Sequence, residues 1–190
     1  MIVAGIDPGL NGGISIIKVP DKINPIKLSE IYQKAIVYPL PNQKVKLHLS
    51  TKTDKASSQS RVDIDLLKNY VTKHKVTHCY LEYQQARPNQ SSVSTATTFL
   101  NYGILWSLLK LLDVNTTEIS PQQWQIIFTL EPFRSLLSNA DVTGKDRAIT
   151  IAKVNNINLK PNKRSRQDND GLADAFCISL YGLFKELNYL

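Results

Sequence analysis

IVAGIDPGLNGGISII, residues 2–17, holds two short apolar runs rich in β-forming side chains, with a turn sequence of proline, glycine and asparagine between them. This order predicts a strand, a tight turn and a second strand. Asp7 then lies at the end of a central strand, where a carboxylate is costly unless it is paired or bound to a cation. An aspartate that caps its own backbone before Pro8 and Gly9 explains the residue without any function.

A second carboxylate follows another apolar run. Residues 76–81 are rich in β-formers, and Glu82 comes directly after them. Strands buried on both faces are near-continuous apolar runs, so two neighbouring strands could bring Asp7 and Glu82 together. A solvated glutamate at a strand end, paired with Arg87, is the alternative interpretation of this position.

Two further acids open the last helix. The sequence from residue 168 onward has helical periodicity, and Asp170 and Asp174 are four apart, so both project from one face. That face continues as an apolar stripe through residues 177–181. Acids in a first turn also suit the helix dipole, which explains Asp168 and Asp170. The dipole does not explain Asp174, which lies deeper in the helix.

Together the four acids predict a metal centre. Clustered carboxylates repel one another unless divalent cations lie between them, and such a centre is typical of enzymes that cleave phosphodiesters. The three histidines, at positions 48, 74 and 78, have no zinc spacing with Cys79 and Cys177. We expect both cysteines to be core residues in a reducing compartment. Oxygen ligands without a soft cluster favour magnesium or manganese.

Five stretches of the chain carry a family resemblance when they are taken in order. They are GIDPGLNGG at 5–13, LEYQ at 81–84, SPQQW at 120–124, GKDRAI at 144–149 and DGLADA at 170–175. In this order and spacing the chain resembles the RuvC-type Holliday junction resolvases of the RNase H-like nuclease superfamily, especially the small forms of phages and organelles. The resemblance implies an α/β fold with a central mixed five-stranded sheet and helices on both faces.

The same resemblance implies the site. Asp7, Glu82, Asp170 and Asp174 would hold two Mg²⁺ ions, with Mn²⁺ as a substitute. Several relatives place the last two acids three apart or use a histidine for one of them, so Asp168 or Asn169 could share the role given to Asp170.

Two ions about 4 Å apart would activate water and stabilise the leaving 3'-oxygen, which leaves a 5'-phosphate and a 3'-hydroxyl. Lys145 or Arg147 could neutralise the charge that develops on the phosphorus centre.

The net charge of +7 favours a polyanionic partner. Basic side chains crowd residues 142–167, where Asp146 is the only acid, and phosphate contacts of this kind need not read sequence. A solvated loop explains such a run equally well. The residues predicted to contact branched DNA are Gln84, Arg87, Lys145, Arg147, Lys163, Arg164 and Arg166.

At 190 residues with 42% apolar side chains, the chain is long enough for one full core, so we predict a single domain over residues 1–190. Because it begins with core strand and no apolar run approaches a membrane span, we expect no leader, no membrane partner and a cytoplasmic location, in the host if the source is a phage. Residues 42–60 lack a periodic apolar pattern and predict a long mobile loop, either a DNA-contacting flap or a simple insertion.

Periodicity predicts strands near 2–7, 13–19, 33–39, 76–82 and 115–119, and helices near 61–74, 91–112 and 145–156, with another opening at Pro121 and the terminal helix last. Apolar residues at helical spacing in the 91–112 helix predict a mainly core-facing stripe made of Val93, Ala96, Leu100, Gly103, Ile104, Leu108 and Leu111. In resolvases of this family the corresponding helix helps to form a two-fold dimer. The resemblance therefore implies a homodimer with one site for each of two opposed junction strands.

Three other functions compete with this hypothesis. A nuclease of the same fold could act on other branched, duplex or hybrid nucleic acid, and a junction-binding protein could lack catalysis altogether. The Asp-Pro-Gly turn with its following Gly-Gly is also similar to the phosphate loop of actin-like sugar kinases and ATPases. The second lobe of those proteins would not fit in this length.

Overall fold

The computed structural model describes residues 1–20, 28–47, 57–86, 91–140, 142, 144, 146–162, 164–165 and 167–190, with the side chains of 47 and 57 left aside. Its strands are β1 (Ile2–Asp7), β2 (Gly13–Lys18), β3 (Ile36–Pro39), β4 (Asn42–Leu47), β5 (Ser57–Val62), β6 (His78–Glu82) and β7 (Asn115–Ile119). Its helices are α1 (Leu28–Tyr32), α2 (Ile64–His74), α3 (Ser92–Leu111), α4 (Pro121–Trp124), α5 (Phe133–Asn139), α6 (Asp146–Val154) and α7 (Asp170–Glu186), with a 3₁₀ turn at Gln125–Thr129.

The five-stranded sheet has the order β3-β2-β1-β6-β7. β1 pairs antiparallel with β2 and β2 antiparallel with β3, whereas β1, β6 and β7 are parallel. Val3 on one face of β1 belongs to the core beneath α7, and Ala4 on the other face belongs to the core beneath α2 and α3. The mixed sheet with helices on both faces confirms the predicted fold class.

Helix α7 lies directly on β1 because small residues permit the approach. A Cβ atom on Gly5 would come within 2.2 Å of the backbone nitrogen of Ser179. The hydroxyls of Ser15 on β2 and Ser179 share a buried hydrogen bond of 2.8 Å. Backbone atoms have little room to move at such a contact, so the packing of α7 fixes where its first turn lies.

The predicted loop at 42–60 is wrong at both of its ends. β4 and β5 form a two-stranded antiparallel ribbon, while residues 48–56 lie outside the described residues. β5 is polar and lacks apolar alternation, whereas Lys44 to Leu47 in β4 alternates polar and apolar side chains, a short strand signal that the loop prediction overlooked. Asn101 holds the ribbon on α3: it is 3% exposed, accepts a hydrogen bond of 3.2 Å from the nitrogen of Val62, and donates one of 3.4 Å to the oxygen of Ser60.

The predicted core stripe of α3 is only partly correct: Leu108 is buried and Ile104 packs against the core, but three other members of the stripe are exposed. Val93 is 72% exposed, Leu111 is 81% exposed and Leu100 is 41% exposed. Besides Leu108, the residues of α3 that the core buries are Asn101, Leu105 and Leu109. A helix that is apolar on most sides gives no single stripe, so the sequence pattern does not select which face packs inward.

Other boundaries shift by a few residues. The third strand begins at Ile36, after the short helix α1, and α2 begins at Ile64, because β5 occupies residues 57–62 and Asp63 caps the helix through the nitrogen of Leu66. No helix among the described residues is both long enough and apolar enough to cross a membrane.

Candidate active site

Asp7 and Glu82 end two adjacent parallel strands. The register of β1 against β6 pairs Ile6 with Leu81, and each carboxylate is the next residue along its strand. Since the strands are parallel, both acids lie at the same edge of the sheet. The predicted approach of these two strand ends is confirmed by this register.

Strand alternation places both acids on one face. Val3 on β1 and Tyr80 on β6 belong to the core cluster beneath α7. Side chains two residues apart on a strand share a face. Asp7 is therefore on the same face as Gly5 and Val3, and Glu82 is on the same face as Tyr80. Both carboxylates project towards α7. The opposite face of the same strands carries Ile6 and Leu81.

Helix α7 begins above this edge. A Cβ on Gly171 would come within 2.3 Å of the backbone oxygen of Asn11, in the turn that follows Asp7. At the far end of the helix, a Cβ on Gly182 would meet the ring of Tyr80 at 2.4 Å. The helix therefore runs antiparallel to β1, with its first turn, which starts at Asp170, beside the loop after Asp7.

Asp174 lies on the side of α7 that faces β6. Tyr181, two turns further along the same stripe, packs edge-on against Tyr80 with ring centroids 5.7 Å apart. Glu82 follows Tyr80 on that face. Burial raises the pKa of the Cys177 thiol, and the charge of Asp174 one turn away raises it further. The contact between Tyr181 and Tyr80 therefore places this stripe of α7, which includes Asp174, on the β6 side of the helix.

Asp7, Asp170 and Glu82 each accept hydrogen bonds from other groups of the protein. Asp7 Oδ1 accepts from the nitrogen of Gly9 at 2.9 Å, so the backbone-capping role expected of a turn aspartate is present. Asp170 Oδ1 accepts from the nitrogen of Gly171 at 3.0 Å. Glu82 Oε1 accepts from the indole Nε1 of Trp124 at 2.9 Å, and Gln84 Nε2 lies 3.5 Å from Glu82 Oε2. These bonds restrict the orientation of the three carboxylates.

Trp124 is the site residue that sequence reasoning missed. It is 3% exposed, lies in α4 and is preceded by Ser120, whose side chain and backbone form a capping box with Gln123. The cap orients a short helix after β7, which is the strand next to β6. The SPQQW stretch contributed to the family resemblance, but an indole gives no sequence signal of which acid it contacts.

Asp168 and Asn169, the residues that could share the role given to Asp170, both have structural partners. Asp168 accepts from Lys153 Nζ at 2.7 Å and Lys160 Nζ at 2.9 Å. Hydrogen bonds from these two lysines lower the pKa of the Asp168 carboxyl. Asn169 is the N-cap of α7, with its side chain accepting from the nitrogen of Leu172. These bonds anchor the segment that leads into Asp170.

An open cleft of about 510 Å³ lies beside the start of α7. It is bounded on one side by the loop after Asp7 and on the other by the segment before α7. The lining residues are Asn11, Pro161, Ser165, Gln167, Asp168, Asn169 and Asp170. Asp170 is exposed, so an incoming ligand can reach the helix start from this cleft.

Within the described part of the chain, no group of three or more acidic, histidine or cysteine side chains is placed so that it could hold a metal ion, and the four predicted acids are no exception. Magnesium does not require such a group, since it keeps several waters and is usually bound through one or two carboxylates plus substrate phosphates. The donors at this edge are all carboxylate oxygens, which suits that hard cation. The residues present therefore fit Mg²⁺ held in part by substrate.

The predicted DNA contacts are only partly described. Gln84 lies beside Glu82, and Arg164 is exposed, with its backbone nitrogen bonded to Asn162 Oδ1 at 2.9 Å. The guanidinium of Arg147 lies over the ring of Phe128, 5.9 Å from its centroid, and Phe128 in turn packs edge-on against Trp124. The remaining candidates lie outside the described residues: Arg87, Lys145, Lys163 and Arg166.

No protein-family profile matches the sequence, and no curated protein matches it either. Solved structures do match. RuvC of Thermus thermophilus superposes with a TM-score of 0.52 and 14% identity, covering 99% of this chain and 97% of that one. The same protein in complex with a Holliday junction substrate superposes with a TM-score of 0.52 and 12% identity, covering 98% of this chain and 96% of that one. The yeast mitochondrial Holliday junction resolvase Ydc2 superposes with a TM-score of 0.49 and 13% identity, covering 99% of this chain and 84% of that one. At these identities the likeness shows the fold, and it extends over nearly the whole of this chain and of RuvC.

Proposed function

Starting from the fold that this chain shares with RuvC, we propose that the protein is a structure-selective endonuclease that resolves four-way DNA junctions by metal-assisted hydrolysis. The observation that carries the proposal is the meeting of Asp7 and Glu82 at the carboxyl ends of two parallel strands, on the face over which α7 begins. The structural neighbour solved with a Holliday junction substrate supports the choice of DNA.

Asp7, Glu82, Asp170 and Asp174 would hold the divalent cations. When bound, such cations supply Lewis acidity that makes water a nucleophile near neutral pH and stabilises the leaving oxygen. Cleavage by this route leaves a 5'-phosphate and a 3'-hydroxyl.

The chain's own residues position these donors. The Gly9 nitrogen fixes Asp7, Trp124 fixes one oxygen of Glu82, and the N-cap Asn169 fixes the first turn of α7. A rigid frame of this kind matters because ligands displaced by about 1 Å lose much of their effect on the transition state. The open cleft next to Asp170 gives a strand access to the acids.

A homodimer completes the proposal. The outer face of α3 exposes a band of apolar side chains, comprising Val93, Phe99, Leu100, Trp106 and Leu111. A Cβ on Gly103, in the middle of this helix, would meet no atom within 4 Å, so a second helix has room to approach there. Contiguous exposed apolar surface of this kind marks an interface, and a two-fold pair would direct two sites at two strands.

A substrate panel tests the function. Purified protein is incubated with a synthetic immobile four-way junction, a flap, a linear duplex and an RNA–DNA hybrid, first with Mg²⁺ and then with EDTA. We expect paired cuts in opposed strands of the junction, dependent on Mg²⁺, with little cleavage of the other substrates. Preferred cleavage of the hybrid or duplex would assign a different nuclease, and junction binding without cleavage would assign a non-catalytic binder.

Amide variants connect the activity to the site. Asp7→Asn and Glu82→Gln preserve shape but remove ligand charge, and metal assistance is worth several kcal/mol, so cleavage should fall by roughly a thousand-fold or more while junction binding in EDTA remains. Asp113→Asn is the matched control, because Asp113 is exposed at φ 54°, a conformation that asparagine also adopts. Undiminished cleavage by either site variant would remove that residue from the site.

A further inference from the structure

The β4–β5 ribbon has two chemically different faces. In an antiparallel pair, opposed residues share a face, and here Lys44 lies opposite Ser60 and Lys46 opposite Ser58. Both lysines are exposed, and neither is paired with an acid among the described residues. This surface, the Lys44–Lys46 face, therefore presents two ammonium groups with hydroxyl side chains opposite them.

The other face of the ribbon and the outer edge of β5 both contact α3. Gln59, which lies opposite Val45, donates to the hydroxyl of Thr97 on α3. Buried Asn101 binds the backbone on both sides of Arg61. These contacts hold β5 on α3. Val62, opposite Asn42, is buried at the base of the Lys44–Lys46 face, whereas Lys44, Lys46 and Ser58 further along that face are exposed.

The base of the ribbon is tied to the candidate active site. Asn42, the first residue of β4, donates through Nδ2 to the oxygen of Leu10 at 3.1 Å and to that of Leu40 at 3.0 Å. The nitrogen of Leu40 donates to the oxygen of Gly12 at 3.0 Å. Leu10 and Gly12 belong to the loop that follows Asp7. Lys44 is two residues beyond Asn42 on the same face, about 7 Å further along the strand.

We propose that the Lys44–Lys46 face binds the phosphate backbone of the DNA strand that enters the active site, on the side of the Asp7 loop opposite the cleft at α7. The two described strands of the ribbon carry three cations and no acid, which suits a polyanion and not a basic or apolar partner. The assignment of DNA as the polyanion rests on the proposed function. The position of the Lys44–Lys46 face beside the Asp7 loop rests only on the hydrogen bonds of Asn42 and Leu40.

Salt dependence of binding tests the proposal. The slope of log K against log[salt] is negative, and each phosphate contact that is lost reduces its magnitude by roughly 0.9 in duplex DNA. Lys44→Gln/Lys46→Gln should therefore reduce the magnitude of the slope for a labelled junction in EDTA by roughly 1.8, and weaken binding by about 30-fold at roughly 0.15 M salt. The control is Lys18→Gln/Lys73→Gln, which removes the same charge at the opposite edge of the sheet, since Lys18 pairs with Ile2. That control should leave the slope unchanged.

Site-directed crosslinking locates the contact. Cys79 and Cys177 are fully buried, so a thiol-reactive photoprobe will label a single introduced cysteine. With the probe on Lys46→Cys, we expect crosslinks to nucleotides within a few positions of the cleavage site. The same probe on Lys73→Cys should give none there. Crosslinks to a second protein chain would make the ribbon a contact between copies and overturn the proposal.

The outcomes separate this inference from the proposed function. A wild-type protein that cleaves junctions while the Lys44/Lys46 variant keeps its salt slope overturns the inference alone. A wild-type protein that binds DNA without cleaving it contradicts the proposed function. The salt slopes of the wild type and the Lys44/Lys46 variant on that DNA would still test the inference. Absence of DNA binding by the wild-type protein overturns both.

Discussion

The indole Nε1 of Trp124 donates a hydrogen bond of 2.9 Å to Oε1 of Glu82, and so joins the helix after β7 to the carboxyl end of β6. The bond is almost fully buried on the tryptophan side. It restricts the rotation of the carboxylate, and Gln84 Nε2 lies 3.5 Å from the other oxygen, Oε2.

Trp124→Phe tests this positioning role. Phenylalanine fills most of the same space but cannot donate, and loss of such an outer partner costs roughly 10- to 100-fold in metal affinity or activity. We expect a higher Mg²⁺ concentration for half-maximal junction cleavage, with unchanged junction binding in EDTA. Trp106→Phe, the same change at the chain's other tryptophan, should leave the Mg²⁺ requirement unaltered. Equal Mg²⁺ requirements for Trp124→Phe and wild type would refute the role.

Gly5→Ala tests the close packing of α7 on β1. The new Cβ would lie 2.2 Å from the Ser179 nitrogen, so the helix must move away, at a cost of about 1–3 kcal/mol in the free energy of unfolding. Cleavage should fall as well, because α7 carries Asp170 and Asp174. In urea unfolding, Gly103→Ala should be neutral or stabilising by up to about 1 kcal/mol, since its Cβ meets nothing and alanine favours helix. A Gly5→Ala protein as stable as wild type would contradict the packing argument.

Asp168→Asn tests the anchor before α7. Lys153 and Lys160 lower the pKa of Asp168 below the value of about 3.9 expected in the unfolded chain. The unfolded chain therefore binds more protons in the window between the two values, and stability rises with pH across it. The stabilisation by Asp168 is present above about pH 5 and is lost as the pH falls through the folded-state pKa.

The wild type should consequently melt at a higher temperature than Asp168→Asn at neutral pH, and the two melting temperatures should converge in acid. About 1 M salt should also reduce the difference, because the pairs are solvent-accessible. A difference that stays constant from neutral pH to pH 3 would exclude the ion pairs as its cause.

Leu100→Glu tests the apolar face of α3. A charge in the centre of an interface is strongly unfavourable, so the variant should sediment as a monomer where the wild type sediments as a dimer. Leu66→Glu on α2 is the matched control, since Leu66 is 39% exposed and Leu100 is 41% exposed. A wild-type monomer in the presence and absence of junction DNA would contradict the homodimer.

Several parts of the account were readable from the sequence because local chemistry determines them. The apolar runs before Asp7 and Glu82 predicted two strand ends, and the spacing of Asp170 and Asp174 predicted a shared helical face. The register that puts Ile6 beside Leu81 depends on packing between distant segments, so the sequence alone indicated only that the strands could be neighbours.

The predictions that were wrong or incomplete also have physical reasons. Residues 57–62 carry mostly polar side chains and pair through backbone groups, so they have no hydrophobic period to detect. The alternation of Val45 and Leu47 with two lysines in β4 is short and was overlooked. Helix α3 is apolar around most of its circumference, and the inward face is set by Asn101 and its bonds to the ribbon. The contact between Trp124 and Glu82 joins residues 42 positions apart, which no local pattern encodes.

Anomalous diffraction from crystals grown with Mn²⁺ and an uncleaved junction addresses the central claim most directly. The account predicts manganese peaks within coordinating distance of Asp7 and Glu82, with Asp170 or Asp174 completing the site from above, and no such peaks in Asp7→Asn crystals. Manganese bound elsewhere, with no peak between these strand ends and α7, would contradict it.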